Sequence, residues 1–433
     1  MKDTYPLRRE KIGEEVFFSS LRDSRFKTDL LTLNFVLPLK RETVTENALI
    51  PLVLEKGSAS FPAYRTFSME LNRLYGASVG AGCSKIGDNE ILTLSISTLD
   101  DAYALKGEKL LKTCGELLCG LLFDPVLEDG LLAHENLELQ KQYLWDSIEA
   151  EKNDKRSYAL GQTLRLLFEN DPCGLRKLGY TEDLEKLTDR AATDAYLRIL
   201  SSAQVEIFHV GCGNPGEVKE TFASAFSGIR RRPEPLLKTK LAVPDGMFRE
   251  VTEEKPVSQS KLCLGFKTGV GPTHSQLSAL RLMNGVLGGT TESKLFLNVR
   301  EKRGLCYYCS SRSDRTKGIL LIDCGVDREK VDEARGAILG ELAAIRRGEV
   351  TEDELNFARL SLQNSFRSVG ETASSLESFY LTQTLLGVEE TPFDQCEKLA
   401  RVTKEEVAAA AELLELSVSY LLTEDGGEEG ADA

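Results

Sequence analysis

One succession of secondary-structure signals runs through this chain twice, and that repetition constrains the fold more than any single motif. Val16-Phe17-Phe18 and Leu30 to Leu37 are short apolar runs, partly alternating, that read as strands. Thr43-Val44-Thr45-Glu46 has the residues of a capping box, the run Ala48 to Leu54 continues it as a helix, and Gly57 supplies a stop. A second helix over Tyr64 to Leu74, a strand over Glu90 to Ser97 and a helix over Leu105 to Leu122 follow. The second half offers a strand at Lys261 to Phe266, helices at Gln276 to Leu287 and Thr291 to Val299, a strand at Gly318 to Cys324 and a helix at Val331 to Arg347. Setting Leu71-Asn72 over Leu297-Asn298 brings Glu90 to Leu94 near Lys317 to Leu321, with helices in register on both sides. The pattern predicts an α+β chain of two repeats of about 200 residues each. Two unrelated α+β domains are the alternative.

A chain of 433 residues seldom closes around one core, so two domains are expected on length alone. The stretch Arg230 to Gly246 is polar and contains Pro233, Pro235 and Pro244, which makes it the natural linker. The expected division is a first repeat at 1–229, a linker at 230–246, a second repeat at 247–423 and an acidic, disordered tail at 424–433.

Lys and Arg total 54 against 68 Asp and Glu, a formal charge of −14, which repels nucleic-acid backbones and anionic lipid. Neither nucleic acid nor a membrane is an expected partner. The N-terminal segment has no apolar signal region and no later run is long enough to span a bilayer, so a cytoplasmic location is expected. The 10 cysteines are scattered along the chain, as buried reduced thiols are, and not as a secreted disulfide framework.

The three histidines, His134, His209 and His274, exclude any H-x-x-E-H or paired-His zinc motif. His134 and Glu138 lie four apart on a helical pattern that a solvated face explains, His209 reads as a strand residue, and His274 falls in a loop. Cys306-Tyr307-Tyr308-Cys309 is a single C-x-x-C in extended, aromatic-rich surroundings, half a metal site at most. Asn284 to Thr291 is glycine-rich but lacks a phosphate-loop ending, so it reads as a helix-to-helix turn whose Gly288 and Gly289 allow close backbone approach by a ligand.

The segment from Glu292 to Tyr308 runs from an amphipathic helix through Gly304 into a strand. With Leu287-Gly288-Gly289, its Arg300-Glu301-Lys302-Arg303-Gly304-Leu305-Cys306-Tyr307 resembles the C-terminal repeat of the insulinase and pitrilysin metallopeptidases, where R-E-K-[RE]-G-L-[AC]-Y occurs. Leu71 to Ala77 and Glu349 to Arg359 extend the resemblance over nearly the whole chain. It implies two homologous repeats, each a mixed, mostly antiparallel sheet covered by helices. Active members carry H-x-x-E-H on the first helix and a distal Glu ligand. Here Ala48, Pro51 and Leu52 stand at the motif and Ser147 at the distal position, and no histidine precedes His134. Hydrolysis by this chain alone is therefore not expected, nor a metal in it.

Arg300 and Tyr307 match the family pair that holds substrate, with Gly288 and Gly289 beside them. The resemblance implies a catalytically silent subunit that lends this pair to a zinc-bearing partner in a heterodimer, with zinc in the partner only and a peptide as substrate. Within the family it is similar to a Firmicute type of paired peptidase-like protein linked to elongation factor P modification. A homodimer is the state open to the isolated chain. A peptide-binding or scaffold pseudoenzyme is the alternative from another class, and an independent enzyme using Cys306 or Cys309 as nucleophile lacks a histidine base.

Overall fold

The computed structural model describes residues 7–424, so the expected tail from residue 425 onward lies outside the described residues. The chain divides into two compact units. One takes the chain up to Glu149, Leu175–Lys238 and Val369–Glu389; the other takes Ala150–Gly174, Thr239–Ser368 and the chain from Glu390. One junction, between Lys238 and Thr239, falls within the expected linker. Two segments depart from a simple division at 230–246: residues 150–174 pack with the second unit and 369–389 with the first.

The first unit contains strands β1 (Arg8–Gly13), β2 (Val16–Arg22), β3 (Thr28–Pro38), β4 (Ser78–Ile86) and β5 (Asn89–Leu99), the short ribbon β6 (Leu127–Glu128) and β7 (Leu131–Leu132), and β8 (Gln204–Gly211). Its main sheet has the order β1-β2-β8-β3-β5-β4, antiparallel except where β2 runs parallel to β8. The second unit contains β9 (Arg249–Glu254), β10 (Ser260–Lys267), β11 (Cys306–Asp314), β12 (Ile319–Val326) and β13 (Glu415–Thr423) in the order β11-β12-β10-β13-β9, with β13 and β9 parallel. Both sheets thus repeat one succession, β2-β8-β3-β5-β4 and β9-β13-β10-β12-β11, with the parallel pair at the same end. Two homologous α+β repeats account for this, with β1 added to the first.

Alternation along the strands decides which helices cover which face. On β3, Leu31, Leu33, Phe35 and Leu37 enter the main core with the helices Val44–Leu54 and Leu110–Phe123, while Val36 joins Ile91, Phe208 and Val210 in a cluster with Leu376, Tyr380 and Leu381 of the helix Ala373–Leu386. On β10, Leu262, Leu264 and Phe266 face the second core, and Cys263 joins a cluster with Ala159 and Leu160 of the helix Lys155–Leu167. Gly265 lies against Leu167, whose Cδ1 would be 2.8 Å from any added Cβ. Each sheet is therefore buried on both faces, which is why apolar side chains of both parities are buried along its central strands, with a few polar ones such as Thr32, Asn34 and Glu206 buried among them.

Local expectations were corrected at three places. Thr43 caps Val44–Leu54 in position but makes no side-chain cap bond, and Glu46 instead pairs with Arg198 at 2.7 Å. The helix expected from Leu105 begins at Leu110. The glycine-rich stretch is not a turn: Gly285–Gly289 is a π-helical continuation of Leu277–Asn284. The polar stretch after Ser227 lacks regular structure, yet Arg231 is buried and donates to the carbonyls of Leu200 (3.0 Å), Glu14 (3.1 Å) and Ala203. Among the described residues, no helix is long and apolar enough to cross a membrane.

Candidate functional site

The segment singled out by sequence folds as a π-helix, Leu295–Lys302, that buries Leu295 and Val299 and ends where the Gly304 amide bonds the Arg300 carbonyl at 3.1 Å. Gly304 has φ +59°, a left-handed conformation that favours glycine, and it turns the chain into the edge strand β11. Cys306 then pairs with Val326 and Tyr308 with Gly325, so Tyr307 is the extra residue of a β-bulge and has no partner opposite. A bulge at a sheet edge re-aims its side chain. Tyr307 is 62% exposed, whereas the Tyr308 ring lies on the sheet over Gly325 with the Arg156 guanidinium 4.3 Å from its centre.

Arg300 is held half-exposed. Its guanidinium stacks on Phe296 at 4.6 Å and lies 3.4 Å from Glu301. The cation is thus oriented by an aromatic face and a weak exposed ion pair, leaving donors for a further acceptor. Gly288 is buried, and an added Cβ would come within 2.8 Å of the Ser311 amide nitrogen and 2.7 Å of Leu295 Cδ1. The close approach that requires glycine there is made by the chain's own β11. Gly289 is exposed and abuts Asn284.

The positions where family zinc ligands would stand do not fit zinc. Ala48, Pro51 and Leu52 lie on Val44–Leu54, with Ala48 and Pro51 buried, and none has a donor atom in its side chain. The Ser147 hydroxyl donates to the Tyr143 carbonyl at 2.8 Å. Beside this helix, Asn47 donates to the buried Glu90 and receives a hydrogen bond from Arg198. Burial pushes the Glu90 carboxyl up to about 7, against the opposing Asn47 hydrogen bond and Arg198 charge.

Of the histidines, His209 is fully buried on β8, a strand residue as expected, with Nε2 2.7 Å from Asp29 and Nδ1 buried without a hydrogen-bond partner. His134 is exposed and 3.0 Å from Asp189, whose hydrogen bond raises the imidazole above its usual range. His274 accepts from the Gln276 amide at 3.1 Å.

The C-x-x-C expectation needed revision, because Cys324 joins Cys306 and Cys309, the three Sγ atoms all lying within 4.8 Å of one another. Hydrogen bonds from the Cys309 and Cys324 thiols hold Cys306 down to about 4, and the Arg300 charge acts in the same sense. The Cys309 thiol is raised correspondingly. Sequence reasoning missed Cys324 because it is 15 positions from Cys309; the available signal was the hairpin, since each is five residues from its closing pair, Asp314 and Ile319.

Residues 186–362 match the Peptidase M16 inactive domain. The "Probable inactive metalloprotease YmfF" of Bacillus subtilis is 29% identical over 411 residues, covering 95% of this chain and 96% of that one. A conserved protein from Enterococcus faecalis superposes with a TM-score of 0.90 at 28% identity, over 97% of this chain and 99% of that structure. In sequence and in fold the chain is thus similar to inactive peptidases of the M16 type. A third relative, the "Uncharacterized zinc protease YmxG" of Bacillus subtilis, is 31% identical over 179 residues, 41% of this chain and 44% of its own. The chain resembles M16-type peptidases in fold, and its sequence contains no H-x-x-E-H zinc motif.

Proposed function

We propose that this chain is the non-hydrolytic subunit of a two-chain M16-type peptidase, lending Arg300 and Tyr307 to a zinc-bearing partner in a heterodimer. One observation carries the reading: an edge-strand bulge turns the Tyr307 phenol out to 62% exposure, next to a helix end that presents Arg300 half-exposed. The guanidinium has the donors to grip a peptide carbonyl or carboxylate, and the phenol can donate to a carbonyl oxygen as charge develops on it. Gly289, exposed at the end of the π-helical stretch, offers backbone to the same ligand, with Gly288 setting its position. A peptide adding as an extended strand to a sheet edge gains main-chain hydrogen bonds, so sequence preference is loose. Ala48, Pro51, Leu52 and Ser147 leave the metal to the partner.

The test begins with tagged recovery from the chain's own cells, where a similar-sized chain bearing H-x-x-E-H should accompany it in near-equal amount. In the reconstituted pair, Arg300→Ala and Tyr307→Phe should each lower kcat/KM by about tenfold or more while assembly is unchanged. Turnover indifferent to both would leave a peptide-binding scaffold that takes no part in cleavage. The link to elongation factor P is tested by the mass of that factor in cells lacking this chain, which should change.

A further inference from the structure

Cys306 and Cys309 are three residues apart, so on a regular strand they would point to opposite faces. The bulge at Tyr307 adds one residue and brings both to the face that packs on the second core, where Cys309 stands directly opposite Cys324. All three Sγ atoms then lie within 4.8 Å of one another. One ion with sulfur bonds of about 2.3 Å sets its sulfurs roughly 3.8 Å apart, a separation inside that limit. We propose that Cys306, Cys309 and Cys324 form a binding site for one thiophilic metal ion, Zn(II) or Cu(I), held by three thiolates.

Bury three apolar-packed thiols singly and each behaves as a small hydrophobe. Here they converge, and among the described residues no other cysteines do. Cys309 and Cys324 are 4% and 1% exposed, which keeps competing water from the ion, while half-buried Cys306 gives it access from solvent. Three thiolates leave a negative site with either ion, and the Arg300 guanidinium near Cys306 offsets part of that charge. Among the described residues no histidine or carboxylate joins the group, so Zn(II) would keep a fourth position open, whereas three thiolates suffice for Cu(I). Binding releases the thiol protons to solvent, so affinity rises with pH. The inference does not rest on a peptide role for Arg300 or Tyr307.

The experiment is an anaerobic titration of the reduced, chelator-treated full chain with Co(II) as spectroscopic probe, and separately with Zn(II) and Cu(I). One equivalent bound per chain is expected, with sulfur-to-cobalt charge-transfer absorption for Co(II). Cys306→Ser, at the half-buried position, should weaken binding at least about tenfold with an unchanged circular dichroism spectrum. Cys83→Ser and His134→Ala should bind as the parent does. The proposal is overturned by the absence of stoichiometric binding, by undiminished binding in Cys306→Ser, or by loss of binding in His134→Ala, which would assign the metal to His134, Glu138 and Asp189.

Discussion

The Asn34 side-chain amide donates a 2.8 Å hydrogen bond to Glu377, joining residues 343 positions apart within the first unit. Thr32 donates to the same carboxylate oxygen at 2.9 Å. In the second unit Arg156 meets Asp323 at 2.5 Å and Lys317 meets Asp171 at 2.8 Å. Each exchanged segment is thus tied to its sheet by a polar contact with at least one buried partner as well as by apolar packing.

Removing the Glu377 carboxylate leaves two buried strand donors without that acceptor. Glu377→Ala should destabilise the chain by about 2–4 kcal/mol, and Glu377→Gln, which keeps an acceptor, by about 1 kcal/mol. Urea midpoints at constant slope measure both. Equal losses in the two variants would argue against an acceptor role.

A chain ending at residue 229 lacks the helix Ala373–Leu386 and so uncovers Val36, Ile91, Phe208 and Val210. Leu376, Tyr380 and Leu381 together forfeit on the order of 5 kcal/mol of burial. The fragment should bind a hydrophobic dye strongly and aggregate, and co-expression with residues 230–433 should restore solubility. A monomeric, dye-silent fragment would contradict this.

Glu90 carries a pH signature. Its carboxyl is raised to about 7 in the fold from an ordinary 4.5, so the folded state favours the proton. The stability this contributes is fully present below pH 4.5 and is lost as pH rises through 7. The loss is on the order of 3 kcal/mol between pH 4.5 and 8, and Glu90→Gln should abolish that component. Unfolding free energies of parent and variant across this range should converge at low pH and separate at high pH.

Gly288→Ala places a methyl against the Ser311 backbone nitrogen and Leu295, neither of which is free to swing away. A cost of about 1–3 kcal/mol is expected. At Gly289 the nearest atom is the Asn284 side-chain amide at 2.8 Å and the nearest backbone atom is the Asn284 carbonyl oxygen at 3.0 Å, farther than the 2.8 Å backbone approach at buried Gly288, so exposed Gly289→Ala should cost less. Thermal midpoints of the two variants decide the order.

The repeat was legible because strands and helices write their periods locally: Leu30 to Leu37 and Glu90 to Ser97 fall inside β3 and β5, and Lys261 to Phe266 inside β10. The strand β4 carried no such signal, since Val79, Ala81 and Cys83 alternate with Ser and Gly that have little hydrophobic contrast. In the candidate site, Arg300 and Tyr307 stood out through their motif, and the Gly304 turn through its residue type. That Tyr307 is a bulge residue was hidden, because a bulge is defined by what lies opposite, here Val326 and Gly325.

From the sequence alone came the duplicated α+β order, the lack of histidine where a zinc motif would stand, and the Arg300 to Tyr307 segment. These follow from residue identity and short-range periodicity, which need no partner in space. Only the tertiary structure decided that Lys155–Leu167 and Ala373–Leu386 each cover the sheet of the other half, and that Cys324 completes a group with Cys306 and Cys309. Both depend on strand register and on which apolar face finds which helix. Register in a sheet is a relation between segments, and neither segment carries it by itself.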